Sequence, residues 1–135
     1  MRRRPARYGG SKDAELVIVL DCAELDRASD FWCAALRYVG PPPEWRSGSY
    51  RQLLPADGDG IELLLQQVPE GHEVKNRVHL DLRTPDMDRE VARLVAIGAA
   101  RQTSEALEED GWKWHVLSDP DGNELCVLQP PLPTA

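Results

Sequence analysis

The sequence predicts an α+β protein built from two tandem βαβββ modules, each a sheet covered by a helix on one side only. Slid on itself by 62 residues, the chain aligns its halves without a gap. Leu20/Leu82, Asp26/Asp88, Arg27/Arg89, Ala34/Ala96, Asp57/Asp119, Asp59/Asp121, Gly60/Gly122, Glu62/Glu124, Leu63/Leu125 and Gln67/Gln129 coincide, and a constant offset marks a duplicated unit. Each half runs from a short β-rich segment into apolar residues at helical spacing. Each half then closes on a Gly- and Asp-rich turn between two strands. Strands and helices mixed in this way give an α+β layer arrangement.

In chain order, Leu16–Cys22 is the first strand. Leu25, Ala28, Phe31, Trp32, Ala35 and Leu36 then recur as one face of a helix. GPPPEWRSGS is loop, because three prolines cannot join a central strand. PADGDG between Leu54 and Ile61 turns the first hairpin, and VPEGHEVKN links the halves. Val78–Arg83 alternates as a strand, and Met87, Val91, Leu94 and Val95 give the second helix, with Gly98 as its C-cap. SDPDGN between Leu117 and Glu124 turns the second hairpin. The expected map is a disordered basic tail at 1–14 and one domain over 15–130. Within that domain lie module one (15–67), a linker (68–76) and module two (77–130), and 131–135 is a second tail.

Composition bounds the partners. Hydrophobic residues make up 41% and charged residues 29%, ordinary for a globular chain, and the formal net charge is −7. An acidic surface argues against nucleic-acid or anionic-membrane binding, both of which need a basic footprint. No apolar run approaches the roughly 20 residues of a membrane span. MRRRPARYGG is basic but is followed by no apolar segment, so it does not read as a secretory signal. Cys22, Cys33 and Cys126 are an odd number without framework or zinc spacing and fit a reducing cytoplasm.

Three stretches, LDCAELDRASDFWCAAL, NRVHLDLRTPDMDREVARLVAIGA and VLSDPDGNELCVLQP, resemble the vicinal oxygen chelate superfamily of glyoxalases, bleomycin-resistance proteins and dioxygenases. NRVHLDL and NELCVL resemble in particular the glyoxalase-like subgroup frequent in high-GC bacteria. The resemblance implies that the modules curl into a mixed-sheet cup with the helices on its outer face. In metal-using members, the first strand of each module supplies a His or Gln and the last a Glu. The matching positions here are Val17, Leu64, His79 and Cys126. Val17 and Leu64 have no donor atom, and one His with one Cys is too few for a stable divalent site. The expectation is no metal and no other cofactor.

Strand alternation then selects the cup face. If His79 faces the cup, so do Arg77, Asp81 and Arg83. Asp21 joins them from the first strand, Glu62 and Gln66 from one closing strand, and Glu124 and Cys126 from the other. Leu16, Ile18, Leu20, Ile61, Leu63, Leu65, Val78, Leu80, Leu82, Leu125 and Val127 turn to the core. His79 is the candidate general acid or base, oriented by Asp81 or Asp21. Cys126 beside it is a candidate thiol nucleophile, and Arg77 and Arg83 would hold an anionic group. Asp21, Glu62, Gln66 and Glu124 complete the ligand-binding set. Each has a plainer reading: His79 as a lining hydrogen-bonder, Cys126 as a small hydrophobe, the strand-end acids as solvated rim. The pattern does not choose whether Trp112 and Trp114, or Lys113 and His115, face the cup. Trp45 and Tyr50 fall near the cup mouth or on the second strand, with core filling the favoured reading, and His72 reads as solvated linker.

The reading is a small-molecule-binding protein that works without metal on a small organic or anionic ligand, with enzymatic activity left open. Two alternatives stand beside it: a metal-dependent lyase, isomerase or dioxygenase, and an antibiotic-sequestering resistance protein. A cytoplasmic homodimer is expected, with no nucleic-acid or membrane partner, because the linker is long enough for modules to exchange between chains.

Overall fold

The computed structural model describes residues 15–74 and 77–133. The basic segment 1–14, two linker residues and the last two residues of the chain lie outside the described residues. The chain divides inside the linker into two compact units, Met1–Gly71 and His72–Ala135.

The first unit runs β1 (Val17–Cys22), α1 (Leu25–Leu36), β2 (Tyr38–Val39), a 3-10 turn (Pro43–Trp45), β3 (Tyr50–Pro55) and β4 (Glu62–Gln67). Its sheet order is β1-β4-β3-β2, with β1 parallel to β4 and the other pairs antiparallel. The second unit runs β5 (Leu80–Arg83), α2 (Met87–Ala96), β6 (Ala100–Arg101), β7 (Leu107–Glu109), β8 (Trp112–Ser118) and β9 (Glu124–Gln129). Its order is β5-β9-β8-β6, with β7 also on β8 and with β5 parallel to β9. The βαβββ expectation holds in the first unit. The second carries one short extra strand, β7.

Each helix buries one face on its own sheet. Ala28, Phe31, Trp32 and Ala35 of α1 are buried, as are Leu53, Leu63 and Leu65 of β3 and β4. Phe31 and Trp32 meet edge to face with centroids 5.1 Å apart. In the second unit Met87, Val91 and Leu94 are buried on α2, and Leu117, Leu125 and Val127 on the strands it packs against. Burying each such aliphatic side chain stabilises by about 1.5–3 kcal/mol. α2 starts where Asp86 accepts the Arg89 N–H at 3.2 Å and the Gln129 Oε1 accepts the Met87 N–H at 2.9 Å. It stops at Gly98, whose φ of 125° lets the Ala99 N–H return to the Leu94 carbonyl.

Three expectations are corrected. Leu16, Ile61 and Val78 are exposed, Val78 at 77%. The strands begin at Val17, Glu62 and Leu80, so no ladder presses these residues onto a helix. The 62-residue offset holds for Ile18↔Leu63 against Leu80↔Leu125. It also holds at the turns, where the Asp57 and Asp119 carboxylates accept the Asp59 and Asp121 N–H groups. In β3 and β8 it slips by two residues. Leu53 pairs with Leu63 while Leu117 pairs with Leu125, so the turn between β8 and β9 is two residues shorter than that between β3 and β4.

One ion pair ties α1 to its sheet. The Arg51 Nη1 donates to the Asp26 Oδ1 at 2.6 Å, with the Arg51 side chain 10% exposed and Asp26 82% exposed. That hydrogen bond, and then the guanidinium charge, hold the Asp26 carboxyl below its ordinary range. A lowered folded pKa contributes stability that is present above the unfolded value and lost as pH falls through the folded one. Asp26→Asn should therefore melt below wild type at neutral pH. The gap should close as pH drops below about 4, as thermal melts across that range would show.

Candidate functional site

The face of the second sheet away from α2 is assembled by register. Asp81 lies opposite Cys126 and Arg83 opposite Leu128; Cys126 is opposite Val116, Leu128 opposite Trp114, and Glu109 opposite Trp112. Residues two apart share a face, so Asp81, Cys126, Leu128, Trp112, Trp114 and Glu109 look the same way. A pocket of about 480 Å³ opens on this face, lined by His79, Asp81, Glu109, Asp110, Trp112, Trp114, Cys126 and Leu128. That volume lies in the range of small-ligand sites.

The open question about β8 is thereby answered: the tryptophans line the pocket. His115 turns to the helix side, 5% exposed, with its Nδ1 3.0 Å from the Thr103 hydroxyl. Three sequence candidates, His79, Asp81 and Cys126, come together in the pocket, although His79 stands one residue before β5 and is exposed. The direct cross-strand neighbour of Cys126 is Asp81 and not His79. An acidic neighbour is the opposite of the setting that activates a thiol. Elsewhere, burial pushes the Cys33 thiol up.

The remaining candidates are not among the residues that line this pocket. Arg77 is exposed and precedes the strand. Arg83 lays its guanidinium 5.3 Å above the Trp112 ring centroid. Glu124 pairs in register with Ser118 and is half-buried. Asp21, Glu62 and Gln66 belong to the first unit, where Asp21 sits opposite Gln66. Glu62 is 8% exposed and accepts a hydrogen bond from the Gln52 Nε2 at 2.7 Å. Trp45 and Tyr50, expected as core, are exposed at a turn and a strand end, and His72 is exposed as expected.

Two lining residues, Glu109 and Asp110, were not among the sequence candidates. With Glu109 opposite Trp112, Asp110 and Gly111 form a two-residue hairpin turn whose φ angles are 52° and 83°. Asp-Gly is the favoured pair for such a turn. That dipeptide, set between strand-like residues, was the signal available.

The residues do not fit the divalent ion that the fold implies. Val17 and Leu64, at two of the four positions, offer no ligating atom, and His79 with Cys126 is too small a set. Among the described residues no three His, Cys, Asp or Glu side chains gather to hold a metal. Elemental analysis after purification without chelator should show no stoichiometric divalent metal. One equivalent of Zn, Ni, Fe or Mn bound through His79 would contradict this.

The sequence model of the family described as "Glyoxalase-like domain" matches residues 17–128. Among solved structures, a glyoxalase/bleomycin resistance protein/dioxygenase family enzyme from Burkholderia phytofirmans PsJN is similar at 17% identity and a TM-score of 0.67. That match covers 86% of this chain and 98% of the other. The fosfomycin resistance protein FosX from Mesorhizobium loti is similar at 13% identity and a TM-score of 0.65, over 90% and 95% of the two chains. TioX from Micromonospora sp. ML1 is similar at 16% identity and a TM-score of 0.59, over 86% and 98%. These likenesses concern the fold. No curated protein sequence matches this chain.

Proposed function

This chain belongs to the glyoxalase-like domain family, and from that premise we propose that it binds a small organic molecule without a metal ion, in the pocket of the second unit. The observation that carries the reading is the gathering of His79, Asp81, Trp112 and Trp114 around one cavity of about 480 Å³. Two indole walls supply apolar contact area, and a few polar groups fix orientation, the usual make-up of a ligand site. His79 is the polar centre. Where the bound molecule is also transformed, His79 is the group placed to move a proton, with Asp81 next along the same face to orient it.

A resistance role is the second reading. A fosfomycin resistance protein is among the structural neighbours, and binding in such a pocket would by itself lower the concentration of a free drug. We also propose a cytoplasmic homodimer. Three free cysteines suit a reducing compartment, and no described helix is long and apolar enough to cross a membrane. β1 and β5 each end their sheet's strand order, and an edge strand invites pairing with another copy.

Thermal-shift screening of small carboxylates, aromatic compounds and antibiotics supplies a ligand. Calorimetry of wild type and His79→Gln across about pH 5.5 to 8.5 then tests the site. The substitution should weaken binding by about 1–3 kcal/mol, the cost of a lost charge-assisted hydrogen bond. Equal affinities with equal pH profiles would remove His79 from the site. Light scattering at micromolar concentration should give twice the chain mass, and a value near 15.1 kDa would contradict the dimer.

A further inference from the structure

Resting on the pocket assignment above, we propose that the ligand taken there is a planar aromatic cation, such as a quaternised or protonated nitrogen heterocycle. The pocket has two complementary surfaces. Trp112 and Trp114, two apart on β8, both line the same cavity. Asp81 from β5, with Glu109 and Asp110 from the β7–β8 hairpin, places three carboxylates on the same lining.

No Lys or Arg lines the cavity, and among the described residues none of these three carboxylates is in an ion pair. His79 is the one basic side chain in the lining. Lys113, between the tryptophans, alternates to the other face. Arg83 is engaged with Trp112 at 5.3 Å, so this ring already receives a planar cation in the chain's own packing.

A concave site of one sign concentrates ligands of the opposite sign, and the formal net charge of −7 adds in the same direction. A carboxylate ligand would meet three like charges. A neutral ring would gain the stacking alone. An aromatic cation gains both, lying on the indoles with its charge toward the hairpin acids. Of the two arginines expected to hold an anion, neither is among the lining residues, and Arg83 is turned onto Trp112.

The test uses the full chain and three bicyclic probes of similar size: N-methylquinolinium, isoquinoline held neutral, and quinoline-2-carboxylate. Affinity is read by calorimetry, and location by the indole N–H signals of Trp112 and Trp114 in NMR. Glu109→Gln and Asp110→Asn remove charge without strain, since Glu109 is exposed and Asn suits the positive φ of a turn. The cation should bind at least about ten-fold tighter than the neutral probe, with the carboxylate weakest. High salt and the double variant should each erase most of that preference while the melting temperature holds. If the carboxylate moves the same indole signals with equal or higher affinity, the charge preference is overturned and the pocket assignment stands. If no probe or screened ligand moves either indole signal, both fall.

Discussion

The parallel pairing of the first strand of each unit with its last is the constraint on which the other features depend. Parallel neighbours cannot be joined by a tight turn and need a long crossover. Here the chain between them includes a helix, α1 or α2, laid on one face of the sheet. One face is thereby committed to apolar packing, and in the second unit the opposite face is released to form the pocket. The same pairing puts Asp81 beside Cys126 despite the length of chain between them.

The two units use this framework to different ends. Facing the helices, matched positions stay apolar: Ile18 and Leu80, Leu63 and Leu125, Leu65 and Val127. Truncating a buried Leu or Ile typically costs about 2–5 kcal/mol, so packing holds these positions to one character. On the other face the matched positions diverge. Val19 stands where the second unit has Asp81, and Leu64 where it has Cys126. The first unit's Glu62 is engaged with Gln52, whereas the second unit gathers indoles, acids and an imidazole around a cavity. A sheet held from one side can change its other side and remain folded.

This division also explains what was legible in the sequence. Both helices, the two Asp-Gly turns and the inward alternation of Leu80, Leu82, Leu125 and Val127 were readable, because period and turn chemistry report local backbone preference directly. The contents of the pocket were readable only in part. His79, Asp81 and Cys126 followed from alternation along single strands. Trp112 and Trp114 did not, because the phase of β8 depends on pairing with β9, and the slip of two residues relative to β3 is not written in an ungapped offset. Glu109 and Asp110 were hidden for a related reason: a three-residue strand carries no periodicity, and only the Asp110–Gly111 turn announces it. Arg83 shares the strand face of Asp81 by alternation, but its stacking on Trp112 is a contact between strands that linear spacing does not encode.

The central claim is that the released face of the second sheet is where this chain meets its ligand. A crystal structure of the complex with the tightest-binding compound tests it most directly. The account predicts density against Trp112 and Trp114, within hydrogen-bonding reach of His79 or Asp81, with no metal ion between protein and ligand. A ligand seated elsewhere, or held through a divalent ion on His79, would contradict it.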